Sequence, residues 1–229
     1  MIGTMDYAKR LDSSRMMKTR NAVVRWYENA GRDFPWRETS DPFHILIAEM
    51  LLRRTTASAV LRVYSPFVNR FGTPQKLATA SERSLAGRLV SLGLQSTRAR
   101  QMHETAILIV REHDGRVPDG SEHLKRFPGV GEYAASAVLN FAFGHSVPMV
   151  DGNVIHLLNR VFSSDLEGPT NPRALDLMRV LGGRRQPKHL YWGIIDLVST
   201  ICLRKAPRCN RCPLNKLCDY AKNHALQKS

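Results

Sequence analysis

The chain has 229 residues, of which 43% are hydrophobic, enough for one core of moderate size or two small lobes. Its 34 lysines and arginines outnumber its 20 aspartates and glutamates, so the formal net charge is +14. Because an excess of this size repels itself unless a polyanion binds, nucleic acid is the first candidate partner. No apolar run approaches the roughly 18 residues of a membrane-spanning helix, and the N-terminus lacks the apolar region of a signal peptide. We therefore expect a cytoplasmic protein with no membrane partner.

Apolar residues recur at spacings of three and four along almost the whole chain, which predicts an all-α fold. A polar loop over 33–42 is expected to separate the first helix from a second, almost entirely apolar one. The tail from about residue 222 is expected to be disordered. The predicted helices cover approximately residues 14–31, 43–55, 56–71, 81–92, 96–114, 132–143, a helix starting at 151, 172–182 and 187–202.

The stretch Leu124 to Val138 joins a glycine turn directly to the start of an Ala-rich helix. The turn consists of Gly129, Val130 and Gly131. Without a Cβ at the two glycines, a phosphodiester can approach the free N–H groups at the positive end of the helix dipole. A plain corner between two helices, with glycine supplying a positive φ, is the alternative interpretation.

All four cysteines lie near the C-terminus with the spacing C-x6-C-x2-C-x5-C; they are Cys202, Cys209, Cys212 and Cys218. Four thiolates suit either zinc or a [4Fe–4S] cluster. Zinc ribbons generally use two short C-x2-C pairs, and only one is present here, which favours the cluster. Disulfides are not expected in an intracellular protein.

Taken together, the hairpin LKRFPGVGEY, an aspartate in VPMVDGNV and the four cysteines resemble the helix-hairpin-helix superfamily of DNA glycosylases that includes endonuclease III and the MutY adenine glycosylases. The resemblance runs from about residue 34 to about residue 218. The segments FPWR (34–37) and AEMLLRRTT (48–56), with Tyr133, are most similar to the Mig-type thymine-DNA mismatch glycosylases. The segment VDGN (150–153) is closer to MutY, and His156 stands where relatives usually carry arginine or lysine.

The resemblance implies two helical lobes with the active cleft between them. One is a six-helix barrel over 41–146 that contains the helix-hairpin-helix at 124–138. The other joins 12–40 to 147–221 and holds a [4Fe–4S] cluster on the four cysteines. Tyr133 and Asp151 are then expected to face each other across the cleft.

Asp151 begins a predicted helix, where its carboxylate can cap free N–H groups. A carboxylate near the sugar also stabilises the oxocarbenium-like charge that develops when an N-glycosidic bond breaks, and it can orient the attacking water. The two roles are compatible, since backbone donors are expected to keep the carboxylate ionised and oriented. Asn153 is a candidate for holding it. The resemblance favours the catalytic role.

Glu49 and Tyr133 are the other candidate catalytic residues. Glu49 interrupts an apolar helix, and the matching glutamate of MutY protonates the departing adenine, so here it is expected to act as general acid or to orient water. A solvated helix face or an ion pair with Arg53 is the alternative. Bifunctional relatives carry a nucleophilic lysine where this chain has Tyr133, so no strong AP lyase activity is expected. An aromatic residue half-buried in the core is the alternative for Tyr133.

Basic residues follow the apolar helix and the first cysteine. Arg53 and Arg54 stand where MutY proteins have a glutamine pair, and Arg54 is expected to fill the space left by a flipped base and to bond the orphaned guanine. Phosphate contact is the alternative. The cluster loop presents three further cations for phosphates, Arg204, Lys205 and Arg208.

The expected function is therefore a monofunctional DNA glycosylase of base excision repair, acting as a monomer on double-stranded DNA. The expected substrate is thymine or uracil mispaired with guanine. One alternative is a MutY-like adenine glycosylase acting on A/G or A/8-oxoguanine, although a chain that ends so soon after Cys218 has no room for the further C-terminal domain of MutY. The other alternative is a non-catalytic iron–sulfur protein that binds DNA.

Overall fold

The computed structural model of the protein describes residues 12–185 and 188–226. These residues form helices, turns and loops and contain no strand, so the predicted all-α fold is confirmed. Within the same two ranges, no helix is both long enough and apolar enough to cross a membrane. The α-helices are α1 Ser13–Ala30, α2 Pro35–Glu38, α3 Pro42–Leu52, α4 Ala57–Phe71, α5 Pro74–Ala78, α6 Glu82–Leu89, α7 Gln95–Glu112, α8 Ser121–Lys125, α9 Glu132–Phe141, α10 Gly152–Phe162, α11 Pro172–Gly182, α12 Lys188–Thr200 and α13 Asp219–Leu226.

The chain divides into two compact units. One is Asp33–His145, and the other joins the N-terminal residues through Arg32 to those from Ser146 onward. The assignment of a six-helix barrel to 41–146 and of a cluster lobe to 12–40 and 147–221 stays a prediction.

Helix α3 is the centre of the unit Asp33–His145. Its apolar side chains are buried from Phe43 to Leu51, and Glu49 is the one partly exposed residue in the run from Ile45 to Leu51. Helices α4, α7 and α9 pack against α3. An apolar helix must be covered on all sides, and these neighbours cover it.

In the other unit, α12 packs against α1 and α10, while α11 covers α1. The fully buried carboxylate of Asp196 on α12 accepts hydrogen bonds from Arg32, just after α1: Oδ2 from the backbone N at 2.8 Å, and Oδ1 from Nε at 2.9 Å and Nη2 at 2.7 Å. A buried carboxylate is tolerated only when paired in this way. The pair therefore fixes where the chain leaves α1.

The predicted polar loop over 33–42 is wrong in part, because it contains α2. Pro35 begins this short helix at a position where proline costs no hydrogen bond. Trp36 stacks on Phe34 with ring centroids 4.6 Å apart and meets the edge-on ring of Tyr64 at 5.3 Å. Helix α2 is too short to show the apolar period of a helix in its sequence. It is packed in the folded protein by these aromatic rings.

The predicted disorder from about residue 222 is also wrong as far as Leu226, since α13 runs through it. Arg15 on α1 donates to Asp219 Oδ1 at 2.7 Å, Ala221 is buried, and α13 packs against α10. These long-range contacts stabilise a helix whose local sequence is polar. Residues 227–229 and residue 187, the expected start of α12, lie outside the described residues.

Candidate active site and DNA-binding surface

Asp151 is the N-cap of α10. Its Oδ1 accepts from the backbone N–H groups of Asn153 at 2.9 Å and Val154 at 2.8 Å. Its Oδ2 accepts from Asn153 Nδ2, also at 2.9 Å. Three donors therefore hold both carboxylate oxygens in one orientation, as expected of a helix cap with Asn153 as its partner.

The pKa of Asp151 depends on burial as well as on the hydrogen bonds to its carboxylate. Burial raises the pKa of the Asp151 carboxyl, and this outweighs the lowering by the hydrogen bonds from Val154 and Asn153 and by the positive charge of Arg204. The expectation that the carboxylate is ionised stays a prediction, and burial opposes that ionisation. A carboxylate with a raised pKa ionises at the expense of folded-state stability.

Side chains of α10, the helix that Asp151 caps, contact the loop that carries the first cysteine. His156 Nε2 lies 2.9 Å from Cys202 O, and Arg160 donates from Nη2 to Arg204 O at 2.9 Å. Arg204 in turn donates from Nη2 to Gly152 O at 3.2 Å. The predicted phosphate-binding Arg204 thus also contacts the backbone beside Asp151.

The four predicted cluster ligands, Cys202, Cys209, Cys212 and Cys218, line one cavity together with Arg160 and Tyr220. All four are free cysteines. Within the described residues, no three or more His, Cys, Asp or Glu side chains are arranged to hold a single metal ion. Burial, and to a smaller extent the other three cysteines, raise the pKa of the Cys212 thiol to about 12. Buried thiols become thiolates readily only beside a cationic centre, and four of them around one cavity are the donors that an iron–sulfur cluster uses.

The candidate residues Glu49 and Tyr133 lie on α3 and α9, two helices that pack against each other in the unit Asp33–His145. Both side chains are partly exposed. Asp151 belongs to the other unit. The expected approach of Tyr133 to Asp151 across a cleft, and the roles of the three residues, therefore stay predictions.

The glycine turn has the geometry expected of a hairpin that leaves N–H groups accessible. Gly129 has φ +81°, and the N–H of Val130 is bonded to Phe127 O at 3.0 Å. Gly131 is the N-cap of α9, so that helix begins without a capping side chain. A Cβ added at the exposed Gly131 would meet nothing within 4 Å. An anion can therefore reach the start of α9 closely.

The guanidinium of Arg53 lies directly over Gly129. Its Nη1 donates to Gln101 Oε1 at 2.9 Å. A Cβ at Gly129 would collide with Arg53 Nη1 and would lie 2.6 Å from Gln101 Oε1. The arginine predicted to contact DNA therefore stands beside the hairpin predicted to bind a phosphate.

Arg98 was not singled out from the sequence, where it is one of several basic residues on a predicted helix. In the structure its side chain is only 7% exposed. Nη1 donates to Met50 O at 2.9 Å and Leu51 O at 3.2 Å, Nη2 donates to Arg53 O, and Nε donates to Gly93 O at 3.0 Å. Arginine near a helix C-terminus commonly bonds the last carbonyls, and here it caps α3 from a different helix.

Two exposed residues flank the segments that Arg98 holds. Arg54 follows the end of α3 with φ +51°, and Leu94 precedes α7 with φ +51°. Leu94 is 57% exposed. A non-glycine residue in the left-handed region is uncommon, and an exposed leucine there is a candidate for contact with a ligand. The sequence alone does not mark a leucine in a loop as a candidate for ligand contact.

Lys125 is the lysine nearest in sequence to the glycine turn, and it is paired. Its Nζ lies 2.7 Å from Glu122 Oε1 and 3.2 Å from Glu132 Oε2. The hydrogen bonds to Glu122 and then Glu132 raise the pKa of the Lys125 amine. A protonated amine is not a nucleophile.

Comparison with known proteins identifies the class: this is a base excision DNA repair protein. The chain belongs to the HhH-GPD superfamily of base excision DNA repair proteins, whose pattern matches residues 47–179.

Similar curated proteins are DNA glycosylases. The thymine-DNA glycosylase of Aeropyrum pernix is 38% identical over 219 residues, which are 93% of this chain and 98% of that protein. The thymine/uracil-DNA glycosylase of Pyrobaculum aerophilum is 36% identical over 89% of this chain and 91% of its own length. The adenine DNA glycosylase of Mycobacterium tuberculosis is 37% identical over 84% of this chain, and the match spans 64% of that protein.

Among solved structures, a thermostable thymine-DNA glycosylase matches with a TM-score of 0.86 and 31% identity, covering 92% of this chain and 98% of that one. The predicted recognition of the helix-hairpin-helix glycosylases and the enzyme class are thereby confirmed. The protein is a DNA glycosylase of base excision repair.

Proposed function

We propose that this glycosylase is monofunctional and excises thymine or uracil opposite guanine in double-stranded DNA. The observation that carries the proposal is the identity of 36–38% with proteins named thymine-DNA or thymine/uracil-DNA glycosylase, over about nine-tenths of this chain. The partner is duplex DNA, as the net charge of +14 favours, and the protein acts as a monomer.

In the proposed reaction the C1′–N bond breaks with its electron pair leaving on the base, and the sugar becomes oxocarbenium-like. The Asp151 carboxylate stabilises this positive charge, and a water molecule adds its hydroxyl to C1′ while a proton ends on the departing base. The contacts from Asn153 and Val154 support this role, because a carboxylate that is already oriented needs little reorganisation during the reaction. Glu49 orients the water or delivers a proton to the departing base.

In this proposal the reaction stops once the abasic site has formed in the DNA, because the active site supplies no amine nucleophile. Tyr133 occupies the hairpin position where a lysine would attack the sugar, and a phenol cannot form a Schiff base. Lys125 is held in two ion pairs that favour its protonated form. We assign Tyr133 to the wall of the pocket that receives the flipped base.

DNA is held by two sets of groups in this proposal. The N–H groups of Gly129 and Gly131 and the guanidinium of Arg53 bind phosphate, and the exposed cations Lys205 and Arg208 bind further phosphates together with Arg204. Arg54 fills the space left by the flipped base and bonds O6 and N7 of guanine. Leu94 enters the base stack as an apolar wedge.

We further propose that Cys202, Cys209, Cys212 and Cys218 hold a [4Fe–4S] cluster. The support is the single C-x2-C pair in C-x6-C-x2-C-x5-C and the cavity that all four cysteines line. The bound cluster would clip the C-terminal segment onto α10 and so present the loop that begins at Cys202. Elemental analysis of the purified protein is expected to find iron and no stoichiometric zinc.

A second candidate function is release of adenine from A/G or A/8-oxoguanine pairs. The 37% identity with an adenine DNA glycosylase and the glutamate at position 49 favour it. Labelled duplexes with T/G, U/G, A/G and A/8-oxoguanine, followed by alkali to cleave abasic sites, distinguish the two. Faster release of pyrimidine from T/G and U/G supports the proposal, and faster release of adenine overturns it in favour of the second candidate.

A further inference from the structure

A single buried guanidinium connects two parts of the surface that are remote in sequence. Arg98 donates to Met50 O, Leu51 O and Arg53 O at the end of α3, and to Gly93 O in the turn before α7. Taking an arginine out of water is costly, and the cost is offset only when its donors are used. Carbonyls at a helix C-terminus carry partial negative charge, so these acceptors suit a cation.

Each of the two parts of the surface leads into an exposed residue with a left-handed backbone. The end of α3 leads into Arg54, and the turn leads into Leu94. Both have φ +51°, a conformation in which ordinary residues persist only when the surroundings hold them. Arg98 contacts the backbone immediately before each of them, at Arg53 and at Gly93.

We propose that Arg98 is a positioning residue that holds Leu94 and Arg54 at a fixed separation before DNA binds. The inference rests on the function proposed above, in which Leu94 is the wedge and Arg54 fills the vacated space. Flipping a base costs the free energy of its unstacking and unpairing. A wedge and a filling side chain that are already ordered lose less conformational entropy on binding, so more of their contact energy offsets that cost.

If Arg98 only stabilises the fold, its substitution gives a different result from the one expected if it positions Leu94 and Arg54. The discriminating substrates are a duplex with uracil opposite guanine and the same duplex with uracil opposite an abasic analogue. In the second duplex no base pair has to be broken and no guanine is left behind, so the chemistry proceeds without the wedge and the filling residue.

Arg98→Met is expected to slow uracil release from the U/G duplex by about 10-fold or more under single-turnover conditions, and from the abasic duplex by less than about 3-fold. The fluorescence increase of 2-aminopurine next to the flipped uracil should fall with it. Arg98→Lys keeps the charge but cannot span both segments with its compact ammonium, so only part of the U/G rate should return. Equal losses on both duplexes would overturn the proposal.

A double-mutant cycle keeps the test decisive where Arg98→Met does not fold. Arg98→Lys is combined with Leu94→Ala and Arg54→Ala, both at exposed positions. If Arg98 acts through these two residues, Arg98→Lys causes no further loss on the U/G duplex in their absence. Losses that multiply independently contradict the proposal.

The wild-type rates keep this inference separate from the proposed function. Failure of the wild type to release uracil or thymine opposite guanine contradicts the function alone. The base that the wild type does release is then placed opposite its partner base and opposite the abasic analogue. The rate loss caused by the Arg98 substitution is compared between these two duplexes, and this comparison still decides the role of Arg98.

Discussion

Replacing Gly129 by alanine is the most direct test of the hairpin. The residue has φ +81°, and the new Cβ would lie 2.6 Å from Gln101 Oε1 and would collide with Arg53 Nη1. Both atoms are the far ends of flexible side chains, so they can move aside. The movement breaks their 2.9 Å hydrogen bond and displaces the arginine from the hairpin.

The expected loss of stability follows from two contributions. The left-handed conformation costs an L-residue about 1–2 kcal/mol. The hydrogen bond is solvent-exposed and contributes only about 0.5 kcal/mol. The sum is about 2 kcal/mol, and for a protein of this size it lowers Tm by about 4–8 °C.

Two other glycines provide matched controls. Gly144 has φ +72°, and an added Cβ there meets nothing within 4 Å, so Gly144→Ala reproduces the backbone strain alone. An added Cβ at Gly131 also meets nothing within 4 Å, and its φ of −95° is ordinary for alanine, so Gly131→Ala adds neither backbone strain nor a collision. Alanine is a poorer N-cap than glycine, so this variant should lose only the cost of that change, about 1 kcal/mol or less. Its methyl group nevertheless occupies the space through which a phosphate approaches α9.

Thermal unfolding and fluorescence anisotropy with an abasic-analogue duplex separate these effects. Gly129→Ala and Gly131→Ala should each raise Kd about 10-fold, equivalent to about 1.4 kcal/mol, whereas Gly144→Ala should lower Tm without changing Kd. Wild-type affinity in both hairpin variants would refute the assignment of the turn as a phosphate site.

Four further outcomes are expected. Asp151→Asn should excise bases at least about 10²-fold more slowly while still binding DNA, the scale of losing a main electrostatic stabiliser. The same variant should have a higher Tm than wild type at pH 7, because a raised folded-state pKa means that the ionised carboxylate destabilises the folded state; the difference should shrink as pH falls and vanish below the unfolded pKa of about 3.9. Cys212→Ser should lose iron and the visible absorbance of thiolate-bound iron, with a lower Tm. Wild type should give no borohydride cross-link to DNA, whereas Tyr133→Lys should form one if its amine reaches the sugar.

Each of these outcomes has a result that contradicts it. Near-normal turnover of Asp151→Asn would leave Asp151 as a helix cap only. An unchanged Tm of the same variant at neutral pH would contradict the conclusion that burial outweighs the hydrogen bonds in setting the pKa of Asp151. Stoichiometric zinc in the wild type, or a fully stable and iron-loaded Cys212→Ser, removes the cluster proposal. A cross-link formed by wild type shows that an amine other than one at position 133 attacks the sugar.

The local sequence was sufficient wherever a feature depends on residues close together in the chain. Apolar spacing predicted the helices, although several ended earlier than expected, such as α7 at Glu112 and α9 at Phe141. The glycine turn and the capping position of Asp151 involve neighbours within three residues, so both could be located. Short helices such as α5 and α8 could not, because one turn contains too few residues to show a period.

Features that depend on distant residues required the tertiary structure. The pKa of Asp151 is raised by burial, which only packing decides, and Arg204 reaches the backbone of Gly152 from 52 positions away. The C-terminal helix α13 is ordered by contacts with α1 and α10. Arg98 looks in sequence like any basic residue on a helix facing solvent or DNA. Only the fold brings carbonyls from around residue 50 to its guanidinium, and a buried cation is stable only where such acceptors are already assembled.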